Sequence, residues 1–272
     1  MNDYPLTTWR LLRSAPADGA TNMAVDEAIL RAVAAGRTMP TLRLYAWEPP
    51  CLSLGRAQEI TDVDLDAVHA AGFDLVRRST GGKAILHVDE LTYSVIAPQD
   101  EPRVDGDIVE SYRHLSAALT RGLERLGIPG LAADRRKPPP LAGEAREEGP
   151  VCFEVPSDYE ITAGGRKLVG SAQMRSRGMV LQHGALPLYG DIARICPLLT
   201  VHPDPAHVRA RATTVEQALG RMVTWEEVAE AMVVGFAEEL NLHLEPGELT
   251  DEERIEAQDL RIEKYATDEW TG

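Results

Sequence analysis

Residues 77–87 read RRSTGGKAILH and join the exit of a strand to a glycine pair and a cationic side chain. Because glycine has no Cβ, the main-chain N–H groups at Gly81 and Gly82 can approach a ligand closely. Lys83 places a cationic side chain directly after them. The pattern is typical of a ligand-binding loop. The alternative is a strand-connecting turn flanked by solvated arginines.

Two later segments place polar residues in surroundings typical of strands. The first, 165–173, reads GRKLVGSAQ and puts Lys167 beside small residues. The second, 177–184, reads RGMVLQHG and follows it as a hairpin partner would. We interpret His87 and His183 as core histidines or as side chains that support a site, not as bases.

The three cysteines, Cys51, Cys152 and Cys196, lack the spacing of a zinc site or a disulfide framework. A lone cysteine in an intracellular protein is usually a small buried hydrophobic residue. We expect this of Cys51, in a strand, and of Cys196, before a proline. Spacing alone does not distinguish Cys152 from such a packing residue.

The elements that must position these segments are read from hydrophobic spacing. Apolar residues in helical phase predict helices over 21–35 and 108–126. Alternation of apolar and polar residues predicts strands over 41–47, 51–54, 73–77, 158–162, 167–173 and 179–188. Capping-box patterns at Thr224 and Thr250 predict a helical C-terminal segment at about 224–272. Together these elements indicate a single α/β domain over 1–272.

Residues 130–150 contain several prolines and glycines and few apolar side chains. Such a segment buries little surface, so we expect a mobile loop at about 130–150, ahead of Cys152. The loop carries the run Arg135, Arg136 and Lys137, which is either a solvated charge run or a local basic patch.

Composition excludes several classes of function. The chain of 272 residues has 28 Lys and Arg against 43 Asp and Glu, for a net charge of −15. That field repels a phosphate backbone, so nucleic acid is not an expected partner. Apolar runs are far shorter than a membrane span, and the N-terminus lacks a signal-peptide pattern. We therefore expect a soluble, cytoplasmic protein that does not bind membranes.

The segments RRSTGGKAILH, DELTYSV, GRKLVGSAQMRSRG and LQHG, in this order and spacing, resemble the lipoate and octanoate transferase and ligase family. NMAVDEAIL, WEPPCLSLGRAQE and KYATDEWTG are also similar, so the resemblance covers nearly the whole chain. It implies an α/β fold related to biotin protein ligases, with a mixed central sheet, a smaller sheet and flanking helices around an acyl tunnel. The substrate-binding residues that it implies are Arg77, Arg78, Gly81, Gly82, Lys83, His87, Gly170, Ser171, Ala172, Gln182 and His183.

Two features separate the branches of this family. ATP-dependent ligases usually carry three successive glycines in the first loop, which admit the nucleotide phosphates, whereas Lys83 occupies the third position here. A basic residue there, ELTYS downstream and a cysteine shortly before GRK are similar to the LipM-type octanoyltransferases. The resemblance thus implies transfer of octanoyl from acyl carrier protein to a lysine of a lipoyl domain or glycine cleavage H-type protein, in lipoate biosynthesis. It implies no metal or other cofactor.

The same resemblance implies that Cys152 is the nucleophile and forms a thioester intermediate. It implies that Lys167 favours the thiolate by its charge and later takes a proton from the attacking amine. The sequence departs from the family where Val88 follows the loop histidine, since relatives often have aspartate there. A role for the carboxylate one place later, Asp89, is not carried over.

Two other functions stay open. An ATP-dependent lipoate–protein ligase would activate a free acid as an acyl-adenylate and would need magnesium. A non-catalytic acyl-binding or carrier-binding protein would keep the tunnel without performing transfer. The presence of both Cys152 and Lys167 argues against the second alternative.

Overall fold

The computed structural model describes residues 4–133 and 160–272. Its strands are β1 (Thr7–Arg13), β2 (Thr41–Tyr45), β3 (Cys51–Leu54), β4 (Asp74–Arg77), β5 (Ile85–His87), β6 (Glu90–Pro98), β7 (Leu131–Ala132), β8 (Thr162–Ala163), β9 (Arg166–Lys167), β10 (Gly170–Ser176), β11 (Met179–Pro187) and β12 (Leu242–Pro246). Its α-helices are α1 (Gly19–Ala34), α2 (Leu65–Ala70), α3 (Ile108–Arg125), α4 (Pro205–Arg211), α5 (Val215–Leu219), α6 (Trp225–Glu239), α7 (Asp251–Leu260) and α8 (Asp268–Thr271). Shorter helical segments lie at Ile60–Asp62, Ile192–Leu198 and Arg261–Tyr265.

Within the described residues, the large sheet has six strands in the order β10, β11, β6, β2, β1, β12. Strands β2, β1 and β12 are parallel, whereas β2, β6, β11 and β10 pair antiparallel, so the sheet is mixed. Successive side chains on a strand point to opposite faces. On β11, Val180 belongs to the core shared with α3 and α6, while Leu181 belongs to the core shared with α1. The sheet is therefore covered on both faces.

Helix α1 lies against the face that carries most of the buried polar side chains. Its first turn is capped by the Asp18 carboxylate, which accepts from the N–H of Thr21, and Gly36 stops the helix in the left-handed region with φ +66°. Most of its residues are buried because α7 packs on its far side. Asn22 and Asp26, four residues apart, are buried on one helix face and meet the sheet.

Helices α3 and α6 cover the other face. A capping box between Asp107 and Glu110 begins α3, and Leu115, Leu119 and Leu123 form the apolar stripe of that helix. These helices support the strands that carry the segments 165–173 and 177–184.

A smaller sheet has the order β4, β3, β5 among the described residues, with β3 parallel to β4 and antiparallel to β5. The connection from β4 to β5, residues 78–84, therefore leaves and re-enters the sheet beside β3. It carries the glycine pair. The small sheet thus holds this loop against the large one.

The predicted fold class, α/β with a mixed central sheet and a smaller sheet, is confirmed. The predicted C-terminal segment is not wholly helical, because β12 lies between α6 and α7 and pairs parallel to β1. Most of the predicted loop at 130–150 lies outside the described residues. No helix in the described part of the chain is long and apolar enough to cross a membrane.

Candidate active site

A narrow cleft lies between the loop of the small sheet and strands β6, β10 and β11 of the large sheet. Its wall contains five residues predicted to bind substrate, which are Arg78, His87, Gly170, Ala172 and His183. The other residues of the wall, not singled out from the sequence, are Trp47, Ile85, Thr92, Gly184 and Ala185. Small and apolar groups form much of this surface, with polar side chains at a few points. Such a cleft suits an aliphatic group.

Arg78 shapes the loop between β4 and β5 from inside. Its guanidinium donates to Ser53 O at 2.8 Å and to Ser53 Oγ at 2.6 Å on β3. It also donates to the carbonyl oxygens of Gly81 and Lys83, both at 3.1 Å. The side chain is buried, and hydrogen bonds are stronger at low local dielectric. These contacts fix the conformation of Gly81 and Gly82, which we call the glycine turn.

The main-chain N–H groups of Gly81 and Gly82 point away from the groups that hold the glycine turn in place. The Thr80 carbonyl accepts from Arg56 N–H at 2.9 Å, and the Gly81 carbonyl accepts from the buried guanidinium. In a planar trans peptide the N–H points opposite to the C=O, so the N–H groups of Gly81 and Gly82 point away from these donors. Within residues 4–133 and 160–272 neither N–H has an acceptor. A Cβ at Gly82 would lie 4.0 Å from the Cβ of Ala172, which places the turn beside the cleft.

His87 is held on three sides. Its Nδ1 lies 2.7 Å from Glu90 Oε1, its Nε2 lies 2.6 Å from Ser53 Oγ, and its ring stacks on Trp47 at 4.0 Å between centroids. Glu90 also accepts from the Thr92 hydroxyl, which in turn accepts from Trp47 Nε1 at 2.7 Å. Because Ser53 Oγ accepts from a guanidinium, its own proton is directed to Nε2, and Nδ1–H donates to the carboxylate. His87 therefore builds the cleft wall.

His183 lies at the end of a second buried polar cluster. The strand register places Arg43, Ser94 and His183 side by side on β2, β6 and β11. Asp26 of α1 lies over this row and accepts from Arg43 at 2.8 Å and from Ser94 at 2.9 Å. The second oxygen of Asp26 is 3.7 Å from His183 Nδ1. On its other side, His183 Nε2 is 2.7 Å from Thr80 Oγ1, next to the glycine turn.

Burial and charge set the protonation states of this cluster. Burial acts to raise the pKa of Asp26, but Arg43 and His183 outweigh it and hold that pKa below its ordinary value. Burial lowers the pKa of His183, and the nearby charge of Asp26 only partly opposes this. At neutral pH, Asp26 is therefore ionised and His183 is neutral.

The two predicted lysines lie in different settings. Lys167, on β9, is buried, and its Nζ is 2.5 Å from Glu160 Oε1. Its carbonyl accepts from the N–H of Thr213, which ties β9 to the segment after α4. Lys83 is half-buried beside the glycine turn, and its carbonyl is held by Arg78.

Arg77 holds two segments of the chain together and does not make the substrate contact predicted for it. Its guanidinium donates to the carbonyls of Gly55, Gln58, Trp270 and Thr271. The side chain therefore joins the segment after β3 to the C-terminal helix α8 and does not line the cleft.

Ser171 and Gln182 also direct their side chains away from the cleft. The Gln182 amide donates to Tyr93 OH at 2.9 Å, and Ser171 Oγ is 2.8 Å from the same oxygen. The Tyr93 ring lies near Phe236 of α6, so these groups are on the opposite face of the sheet. Their neighbours on the strands face the cleft because side chains alternate. A side-chain contact with substrate is therefore not expected from Ser171 or Gln182.

The predicted nucleophile, Cys152, lies outside the described residues. The other two cysteines are buried, as expected, and burial raises the pKa of the Cys51 thiol well above its ordinary value. No group of side chains in the described part of the chain has the composition of a metal site.

Sequence reasoning did not single out Asp26, Thr80 or Gly55 as parts of the site. Asp26 lies within NMAVDEAIL, where an acidic residue on an otherwise apolar helix face was the available signal. Gly55 packs against the glycine turn, since a Cβ there would lie 1.9 Å from Gly82 O. That contact joins two loops, so no local pattern indicates it.

Comparison with known proteins agrees with this architecture. A structure of lipoate–protein ligase A bound with ATP aligns with a TM-score of 0.81 and 28% identity, covering 97% of this chain and 98% of that one. A bipartite lipoate protein ligase from Thermoplasma acidophilum, described together with its E2 lipoyl domain, aligns at 0.80 and 26%, covering 97% and 96%. The chain thus has the fold of the lipoate–protein ligases.

The family follows from sequence. The model described as the lipoyl protein ligase A/B catalytic domain matches residues 18–237. Proteins named octanoyltransferase LipM from Kyrpidia tusciae and Symbiobacterium thermophilum are 45% and 42% identical, each over 97% of this chain and 98% of the relative. The chain belongs to the lipoyl protein ligase A/B catalytic domain family, and the family predicted from the sequence is confirmed.

Proposed function

We propose that this chain is an octanoyltransferase that moves octanoyl from acyl carrier protein to a lysine of a lipoyl-domain or glycine cleavage H-type protein. The observation that carries the proposal is the near full-length similarity to relatives named octanoyltransferase. The enzyme class predicted from the sequence is confirmed by these names. A lipoyl-domain acceptor is supported by the solved relative that was described with such a domain.

The reaction proceeds through a thioester on Cys152. The Cys152 thiolate attacks the carbonyl carbon of the donor thioester, the carrier thiolate leaves, and the acyl group stays on the enzyme. The acceptor amine then attacks the enzyme thioester and Cys152 leaves as thiolate. The proton lost by the amine nitrogen passes to Lys167, whose ammonium has given its own proton to the departing carrier thiolate in the first step. Both thioesters have similar energy, so the first transfer needs neither ATP nor a metal. The cytoplasm, where thiols remain reduced, suits such a cysteine.

The burial of the other cysteines supports the choice of nucleophile. Cys51 is fully buried on β3, and burial makes its thiolate costly. Cys196 is buried in the apolar cluster under the small sheet. Neither offers an accessible thiolate.

The glycine turn supplies the groups suited to the carbonyl oxygen. Its two N–H groups have their directions fixed by the carbonyls of Thr80 and Gly81, which are already engaged. Such donors cost no reorganisation when negative charge develops on the oxygen of a tetrahedral intermediate. The neighbouring cleft is narrow and lined mostly by apolar groups, which suits contact with the aliphatic part of an acyl group.

An ATP-dependent ligase is the second candidate, favoured by the ATP-bound relative of the same fold. Such an enzyme would release pyrophosphate from ATP when given free lipoate or octanoate and magnesium. Lys83, at the third position of the loop, places a side chain beside the glycine turn and opposes this reading.

Intact-protein mass measurement tests the proposal. With octanoyl-acyl carrier protein and no ATP, the enzyme should gain one octanoyl group that hydroxylamine removes, as a thioester requires. Cys152→Ala should gain none, while the matched variant Cys196→Ala should still be labelled. A label that persists in Cys152→Ala, or that forms only with ATP, shows the proposal to be wrong.

A further inference from the structure

The buried cluster on α1 joins the large sheet to the loop that borders the cleft. We propose that Asp26 is a positioning residue that acts through His183 on Thr80. By this route it fixes the glycine turn beside the cleft. The kinetic consequence rests on the octanoyl transfer proposed above, whereas the chain of contacts can be tested without it.

Asp26 is fixed by its neighbours on the sheet and acts from there on the ring of His183. Asp26 is held in place by Arg43 and Ser94, and Tyr45 OH donates to its second oxygen at 3.1 Å. That second oxygen is 3.7 Å from His183 Nδ1, longer than a direct hydrogen bond, so its influence on the ring is chiefly electrostatic. A negative charge beside Nδ1 favours the tautomer with its proton on Nδ1.

The tautomer of His183 determines whether the Thr80 hydroxyl donates or accepts the hydrogen bond between them. With the proton on Nδ1, His183 Nε2 is an acceptor, and the Thr80 hydroxyl donates to it across 2.7 Å. Thr80 is fully buried, so a hydroxyl without this partner would lose a hydrogen bond that water cannot replace. The residue that follows in the chain is Gly81. A shift of Thr80 therefore moves the N–H pair of the glycine turn directly.

Titratable and charged groups face His183 from several elements. Asp26 on α1, Arg78 in the loop and His87 on β5 act on the ring itself, while Arg43 and Tyr45 on β2 contact Asp26. Asp26 is the group that raises the pKa of His183, against burial and against the repulsion from the Arg78 guanidinium. Loss of the Asp26 charge should therefore lower that pKa further. An acid limb of activity that depends on neutral His183 would then move to lower pH.

Kinetics of four variants test the proposal. Thr80→Val keeps the shape of the side chain and removes the hydroxyl, so kcat should fall about 10–100-fold with KM nearly unchanged, as misplacement of catalytic groups predicts. Thr80→Ser restores the hydroxyl and should stay within about threefold of wild type. Asp26→Asn should lower kcat and shift the acid limb to lower pH. Ser94→Ala removes one of the hydrogen bonds that hold Asp26 but leaves the carboxylate charge and its ion pair with Arg43, so it should lower kcat much less than Asp26→Asn.

Nitrogen NMR of the histidine rings gives a readout without substrate. The His183 signal, assigned with His183→Gln, should report a proton on Nδ1 at neutral pH and a lower titration midpoint in Asp26→Asn. Wild-type kcat in Thr80→Val, no rescue by Thr80→Ser, or equal losses in Ser94→Ala and Asp26→Asn would each overturn the proposal. If the wild-type enzyme transfers no octanoyl, the proposed function is wrong. The NMR measurement of the His183 tautomer still tests the contacts from Asp26 through His183 to Thr80.

Discussion

At the scale of single residues, Lys167 combines a predicted chemical role with an observed structural one. Its ammonium is buried against Glu160, so removing it leaves a carboxylate without that partner. We expect Lys167→Ala to fold and yet to slow acylation of the enzyme by about 100-fold or more, because the positive charge proposed to favour the thiolate and the proton donor to the leaving carrier thiolate are both lost. Rapid-quench mass measurement of the acyl-enzyme gives this rate.

Glu160→Gln separates the two roles of this ion pair. The variant removes the same ion pair but keeps the lysine, so it should slow acylation by less than about fivefold if Lys167 acts chemically. Equal losses in the two variants would assign Lys167 to structure alone. Thermal unfolding of both variants shows whether the remaining activity is limited by folding.

What the sequence could predict at this scale depends on whether a contact is local. Gly81, Gly82 and Arg78 lie in one short motif, and the structure brings them together beside the cleft. The contact between Thr80 and His183 spans 103 positions of the chain and forms only when β11 and the small sheet meet. No periodicity in the sequence carries that information.

At the scale of elements, the glycine turn depends on a contact between two loops. A Cβ at Gly55 would lie 1.9 Å from Gly82 O and 3.2 Å from Gly81 C, so the backbones touch. We expect Gly55→Ala to displace the turn, to lower the free energy of unfolding by about 1–3 kcal/mol and to reduce kcat, since overpacking forces a backbone shift. Urea denaturation and acyl-transfer kinetics measure the two effects.

Gly164→Ala and Gly81→Ala provide comparisons for this prediction. A Cβ at either position meets no atom within 4 Å, but Gly164 has φ +56° and Gly81 does not lie in the left-handed region. Gly164→Ala should therefore destabilise by backbone strain while leaving kcat unchanged, since it lies in the β8–β9 turn. Gly81→Ala should change stability by less than about 0.5 kcal/mol. Equal stability in Gly55→Ala and wild type would contradict the close contact.

Element prediction succeeded where the local pattern was strong. The helix predicted over 108–126 is α3, which has its own capping box and apolar stripe, and the strand predicted over 51–54 is β3. Strand β12 was not predicted, because its alternation of apolar and polar residues is only five residues long and lies between two helical patterns. Its partner in the sheet, β1, lies at the other end of the chain. The strand predicted over 167–173 is two strands, β9 and β10, because Leu168 and Val169 turn into the core between them.

At the scale of the whole molecule, charge constrains how a carrier protein docks. The net charge is −15, and many exposed arginines in the described residues already pair with carboxylates, such as Arg121 with Glu238 and Arg209 with Asp191. An acidic carrier is repelled at long range by such a surface. Docking therefore needs a basic patch whose charges are not neutralised within the protein.

The run Arg135, Arg136 and Lys137, which lies outside the described residues, is the basic cluster that the sequence offers near Cys152. We expect replacement of all three by Ser to raise KM for an acidic carrier about 5–10-fold at low salt and to flatten its salt dependence, with kcat largely unchanged, because charges at the rim of an interface act on association. Steady-state kinetics across a salt series measure both effects.

A matched variant separates local docking from net charge. Replacement of Arg13, Arg37 and Arg254 by Ser removes the same charge from exposed positions that pair with Glu230, Glu252 and Glu248. An equal rise in KM in this control would show that net charge alone sets carrier affinity.

Unchanged KM in the first variant would make the run a passive part of the chain. Of the other cations near the motifs, Arg77, Arg78 and Arg175 donate to main-chain carbonyls and are committed to the fold. Arg177, exposed at the turn between β10 and β11, would then be the residue to replace next.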